Sequence, residues 1–148
     1  MRFKILLISF IFCLSAFGQK EKQSYNWMPL INAIARVESG FNPKIVNKAG
    51  THVGYLQIGA GMVQECNNIL KAKGEQKRFT LKDRYDKDKS IEMFILFQEK
   101  YNPERNVEKA IRMWNGGPRY RNNSTQGYFN KVHRLYLQNI TAEEEIST

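Results

Sequence analysis

Apolar residues in this chain recur at intervals of three and four in short bursts, each closed by glycine or proline. That punctuation restricts the fold more than any other feature, because it permits several short amphipathic helices and leaves little room for alternating strand patterns. The first burst is Trp27, Leu30, Ile31, Ile34 and Val37, predicting a helix over 26–39 that Gly40 ends and Pro43 keeps from resuming. Val63, Cys66, Ile69 and Leu70 predict a second over 62–72, stopped by Gly74. A third is expected from Asp88 or Ser90 to Tyr101, with Ile91, Phe94, Ile95, Gln98 and Tyr101 along one face and Asn102-Pro103 beyond its end. Val107, Ala110, Ile111 and Trp114 mark a fourth, closed by Gly116-Gly117-Pro118. The fifth is expected to start near Thr125 as N-cap and to run through Tyr128, Val132, Leu135 and Tyr136. Residues 42–61 are rich in Gly, Asn and Thr and contain Val53-Gly54-Tyr55-Leu56-Gln57-Ile58, either a short strand pair or an irregular loop. Residues 75–89 are charged, lack a clean period and read mostly as loop. The expected class is therefore an all-α or α-dominated small domain, with a short strand or irregular segment near residues 50–60.

Ahead of these bursts stand Arg2 and Lys4, an apolar run from Ile5 to Leu14, and Ser15-Ala16-Phe17-Gly18. This is the layout of a secretory signal peptide cleaved after Gly18, and the run is far short of the roughly 20 residues a membrane-spanning helix needs. Phe12 before Cys13 is too bulky for lipoprotein processing, so no stable membrane anchor is expected. Removing residues 1–18 leaves 130 of the 148 residues, enough for one domain over 19–148, whose acidic end, 141–148, is expected to fray. Loss of two cations takes the formal charge from +9 to +7, still basic enough to favour an anionic partner. Export, to the periplasm or beyond the cell, makes cell wall a more natural partner than nucleic acid, and the scattered Lys and Arg residues argue the same way. Only Cys66 remains after processing, so no internal disulfide is available. Its place on an apolar face suits a core residue better than a nucleophile.

Glu38 is the residue that asks for a chemical explanation. It follows Ile34 by four and Ile31 by seven, which on a helix extends the apolar stripe with a carboxylate. Burial disfavours its charged form, and the negative end of the helix dipole acts in the same direction. A carboxyl group that keeps its proton near neutral pH is what protonation of a glycosidic oxygen requires. A partly exposed helix-end glutamate fits the same pattern.

The run Ile34-Ala35-Arg36-Val37-Glu38-Ser39-Gly40-Phe41-Asn42-Pro43, then Gly54-Tyr55-Leu56-Gln57-Ile58, then Trp114-Asn115-Gly116-Gly117, then Tyr128 in a final helix, resembles the lytic transglycosylase family of the lysozyme superfamily. The resemblance covers most of the chain after the leader. It implies a lysozyme-like helical fold and cleavage of peptidoglycan glycan strands without a cofactor or metal. It implies that Glu38 protonates the leaving oxygen and then, as base, helps the sugar's 6-hydroxyl close a 1,6-anhydro ring. It also implies substrate-binding roles for four residues: Ser39 helping to position substrate and catalytic carboxyl, Gln57 and Asn115 as the motif amides of the cleft, and Tyr128 hydrogen-bonding near the catalytic group. Each has a plainer reading: Ser39 as a helix-end hydroxyl, Gln57 as a loop amide, Asn115 as part of a helix terminus, and Tyr128 and Trp114 as core aromatics. Tyr55-Leu56 stands where the family has Leu-Met, Trp114 where tyrosine is common, and Gly59-Ala60-Gly61-Met62 where Pro-x-Thr is familiar.

Two other readings remain open at this level. A hydrolase of lysozyme type on the same fold would need a second carboxylate, for which Asp83, Asp86 and Asp88 are available. A non-catalytic module could grip an anionic wall polymer with Glu38 in a structural role. His52 and His133 have no Cys or carboxylate at ligand spacing and suggest no zinc site. The chain is expected to act as a monomer.

Overall fold

The computed structural model describes residues 25–146. The signal peptide expected over 1–18 lies outside them. The element order is α1 (Met28–Glu38), β1 (His52–Val53), β2 (Ile58–Gly59), α2 (Ala60–Ala72), a 3₁₀ turn (Leu81–Tyr85), α3 (Lys87–Tyr101), α4 (Val107–Gly116) and α5 (Asn122–Ile146). Five helices and one very small sheet give the α-dominated class expected from the apolar periods. No described helix is long and apolar enough to cross a membrane.

α1 is the central element. Leu30, Ile31, Ala33, Ile34 and Ala35 are all buried, so the helix is covered on more than one side until its last turn. It starts later than the period suggests, because the Asn26 side chain accepts from the Met28 amide and Pro29 occupies the first turn. It ends with Gly40 and Phe41 both left-handed, at φ 57° and 68°, which turns the chain sharply away from Glu38. α5 packs along α1 and α4, while α3 lies against α2.

The buried face of α3 differs from the one expected. Met93, Phe94, Leu96, Phe97 and Gln98 are buried, and Ile91, Ile95 and Tyr101 are only partly so. The cause is the aromatic packing: Phe94 lies 5.7 Å from Trp27 and 5.0 Å from Trp114, and Phe97 also reaches Trp114. A helix packed from two sides buries residues outside any single stripe.

Local hydrogen bonds set the other boundaries. α3 begins at Lys87, before the expected Asp88 or Ser90, because Asp86 caps it by accepting from the Lys89 amide at 3.0 Å. The charged 75–89 segment holds an ordered 3₁₀ turn, in which Thr80 and Asp83 form a capping box. α5 begins at Asn122, three residues ahead of Thr125. Thr125 is buried inside the first turn, where its hydroxyl sits 3.0 Å from the Arg121 carbonyl and accepts from Arg112. The acidic stretch expected to fray stays helical through Ile146.

The 42–61 segment resolves into the strand-pair alternative. β1 and β2 pair antiparallel with His52 opposite Gly59 and Val53 opposite Ile58, and Val46 adds one bridge to Val53. The Gly54–Gln57 connection turns through Gly54 at φ 82° and Gln57 at φ 50°. Gly54 is obligatory: a β-carbon there would lie 1.8 Å from the Arg84 carbonyl oxygen of the 3₁₀ turn. This contact seats the hairpin on the segment before α3.

Candidate active site

Glu38 closes α1 at the edge of an open cleft of about 710 Å³, walled by the 47–62 segment, Arg84, Trp114 and Asn115. The volume suits a ligand of a few sugar units and lies inside the range usual for binding clefts. Among the described residues, Glu38 is the only carboxylate that lines it.

Its carboxyl group is half-buried, and burial raises its pKa above the ordinary 4.5. The opposing effect comes from Tyr128, whose hydroxyl donates to Glu38 Oε1 at 2.6 Å and favours the ionised form. Desolvation is the larger of the two. Tyr128 is held well above its own ordinary 10.0, first by burial and then by the Glu38 charge, so it stays a donor at any working pH. With Oε1 taken by that donor, Oε2 is the oxygen left to carry a proton.

The pairing depends on where α5 sits, and α4 helps α1 to fix that. Arg112 is buried in α4; its Nε reaches Glu108 Oε1 at 2.7 Å, its Nη1 the Asn122 carbonyl and Thr125 hydroxyl, and its Nη2 Gln126 Oε1. The guanidinium also stacks 4.4 Å from the Phe129 ring centre. Three of its partners and that ring belong to the first two turns of α5, where Tyr128 stands. Sequence reading passed over Arg112 because an arginine on a short amphipathic helix looks solvated.

The remaining expected residues divide into two groups. Gln57 and Asn115 line the cleft with Glu38. Gln57 Nε2 donates to the Ile45 and Gly54 carbonyls at 3.2 and 3.1 Å, which leaves its Oε1 as an acceptor for a ligand. Asn115 is exposed at the end of α4. Ser39 and Tyr128 do not line the cleft. Ser39 is buried, and its hydroxyl donates to the Tyr55 carbonyl at 2.7 Å, tying the hairpin connection to the end of α1. Tyr128 meets the cleft through Glu38. Trp114 joins both worlds, packing on Phe94 while its indole Nε1 donates to the Leu56 carbonyl at 3.3 Å.

Sequence reading missed Arg84, His52, Thr51 and Asn47 as cleft residues. Asn47 Oδ1 accepts from the Thr51 and His52 amides and shapes the loop. Its Asn-x-x-Gly spacing was a legible turn signal. His133, by contrast, stacks on Phe129 along α5.

The three aspartates are placed differently from Glu38. Asp83 accepts from the Thr80 amide at 2.6 Å and from its hydroxyl, which holds its pKa below the ordinary range. Asp86 caps α3, Asp88 lies in the first turn of that helix, and none of the three lines the cleft. Cys66 is buried beneath α3 with its Sγ 3.5 Å from the Met93 carbonyl, and burial pushes its thiol up to about 12, as suits a core residue.

A small helical domain whose cleft is edged by a half-buried carboxyl group of raised pKa fits the class of lysozyme-like glycan-cleaving domains. The transglycosylase SLT domain model matches residues 15–135, and the chain belongs to that family. No curated protein and no solved structure matches it. The family supports transglycosylase-type cleavage of peptidoglycan as the general activity.

Proposed function

We propose that this protein is an exported lytic transglycosylase, cleaving the MurNAc–GlcNAc β-1,4 bond of peptidoglycan with Glu38 as acid and then base. The observation that carries this reading is that Glu38 is the sole carboxylate lining the cleft among the described residues. An inverting or retaining hydrolase of the usual kind needs a second carboxyl group across the scissile bond, as base or nucleophile. Ring closure by the sugar's own hydroxyl needs none.

In this reading Glu38 Oε2 delivers its proton to the glycosidic oxygen as the bond from C1 to that oxygen breaks. The carboxylate so formed takes the proton of the 6-hydroxyl while O6 bonds to C1, giving a 1,6-anhydro end and returning the acid. No water is consumed. Tyr128 holds the carboxyl group in orientation and eases its passage through the ionised state. The Gln57 and Asn115 amides bind the sugars, and Ser39 positions the hairpin connection rather than touching them. The reaction uses no metal or cofactor. Residues 1–18 direct export to the periplasm or beyond, and the mature chain works as a monomer on the wall.

The test is mass spectrometry of the fragments released from purified peptidoglycan by wild type and by Glu38→Gln. Anhydro ends from wild type, and a loss of about 10²- to 10⁴-fold in Glu38→Gln, are expected. Ordinary reducing ends would instead support the hydrolase, and undiminished cleavage by Glu38→Gln would remove Glu38 from the chemistry. Wall binding without any cleavage by wild type would support a binding module.

A further inference from the structure

We infer that Arg84 is a specificity residue of the cleft, and that it takes a carboxylate carried by the substrate strand. Arg84 is half-buried in the 3₁₀ turn and lines the cleft that holds Glu38. Its guanidinium is clamped from one side by backbone carbonyls. Nε donates to Leu81 at 2.9 Å, and Nη1 reaches Thr51 at 3.3 Å and Ile58 at 3.2 Å. Nη2 has no partner among the described residues.

Among the described residues Arg84 makes no ion pair, while Lys73, Lys77, Lys109 and Arg112 each do. The acids nearest in sequence are engaged elsewhere, Asp83 by Thr80 and Asp86 by the Lys89 amide. Glu38 lines the same cleft, yet it forms no ion pair with Arg84. Carbonyl oxygens satisfy N–H groups but do not neutralise a cation, so a partly desolvated guanidinium keeps an unmet demand for an anion. The loop clamp uses Nε and Nη1 and leaves Nη2 to meet a ligand. It fixes the guanidinium before binding, so little entropy is lost when Nη2 meets a carboxylate.

This inference rests on the glycan-strand reading above, because peptidoglycan supplies carboxylates from two sources: its stem peptides and, where stems are removed, the lactyl group of the sugar. The test compares wild type, Arg84→Gln, Arg84→Lys and the exposed-lysine control Lys71→Gln. Four substrates are needed: stem-bearing walls and stem-free strands, each with carboxylates free or amidated by carbodiimide and ammonia. Fragment release gives kcat/KM, and co-sedimentation with insoluble wall gives binding.

Amidation of the relevant carboxylate is expected to lower kcat/KM of wild type and Lys71→Gln about tenfold, mainly through KM. Arg84→Gln should treat free and amidated substrate alike, and Arg84→Lys should keep part of the preference. A preference confined to stem-bearing walls assigns the stem carboxylates, and one that persists on stem-free strands assigns the lactyl group. Indifference of wild type to amidation, or an undiminished preference in Arg84→Gln, would overturn the proposal. A purely structural Arg84 gives that second outcome, since a loosened loop slows both substrates equally. If wild type cleaves nothing, the transglycosylase reading fails, and the sedimentation comparison still decides Arg84.

Discussion

Replacing Gly54 by alanine should unseat the hairpin that walls the cleft, and the cost can be built from its contacts. The new β-carbon would stand 1.8 Å from the Arg84 carbonyl oxygen and 2.9 Å from its carbon. The approach to the oxygen is about 1.5 Å or more inside ordinary contact, and both neighbours are backbone. The carbonyl cannot simply rotate away, because Ser90 Oγ donates to it at 3.1 Å and the Arg84 side chain ties the same turn to Thr51 and Ile58. Holding a non-glycine residue at φ 82° adds about 1–2 kcal/mol. Loss of two or three hydrogen bonds on retreat of the turn adds about 1 kcal/mol each. A destabilisation of about 3–5 kcal/mol results, a large part of the 5–15 kcal/mol typical of a domain. Gly127→Ala provides a control of opposite sign. It is exposed within α5 with nothing near its β-carbon, so alanine should stabilise by about 1 kcal/mol. Urea unfolding followed by tryptophan fluorescence measures both. A Gly54→Ala variant within 1 kcal/mol of wild type would refute the proposed seating of the hairpin on the 3₁₀ turn.

Tyr128→Phe removes the one influence that lowers the Glu38 pKa and leaves desolvation unopposed. The alkaline limb of the pH–activity profile should therefore move to higher pH; a downward move would contradict the stated balance. The stability sign agrees: a raised folded pKa means that Glu38 favours folding below its ordinary 4.5, and that this contribution is lost as pH rises through the folded value. Glu38→Gln should accordingly lose less stability than wild type between mildly acidic and neutral pH in paired urea titrations. Arg112→Ala should cost about 3–5 kcal/mol by breaking the lock between α4 and α5, with a loss of cleavage beyond the loss of folded protein because Tyr128 is no longer held. Asp83→Ala removes a capping box and should cost about 1 kcal/mol while cleavage by the folded fraction is unchanged; a hundredfold loss of kcat would revive the hydrolase.

Much of the frame was legible in the chain itself. The three-and-four spacing of Leu30, Ile31 and Ile34, and the glycine and proline stops, depend only on helix geometry and backbone sterics, which act locally. The same logic put Glu38 on the apolar stripe and so at a half-buried helix end, and the Gln57 and Asn115 motifs carried those two amides to the cleft. Errors arose wherever side-chain hydrogen bonds or packing from a second side decided the outcome. Asp86 moved the start of α3, Thr125 became buried instead of a cap, and Phe94 with Trp114 rotated the buried face of that helix.

Sequence alone thus determined that the chain is built of amphipathic helices and that Glu38 ends the first of them on its apolar stripe. Tertiary structure decided what surrounds that group. The Tyr128 hydroxyl comes from 90 residues downstream, the Arg112 network sets the helix that delivers it, and Arg84 arrives from a segment with no readable period. Periodicity reports which face of a helix is covered; it carries no information on which distant polar group will do the covering. Only the packed chain makes those pairings, and they set which polar groups surround Glu38.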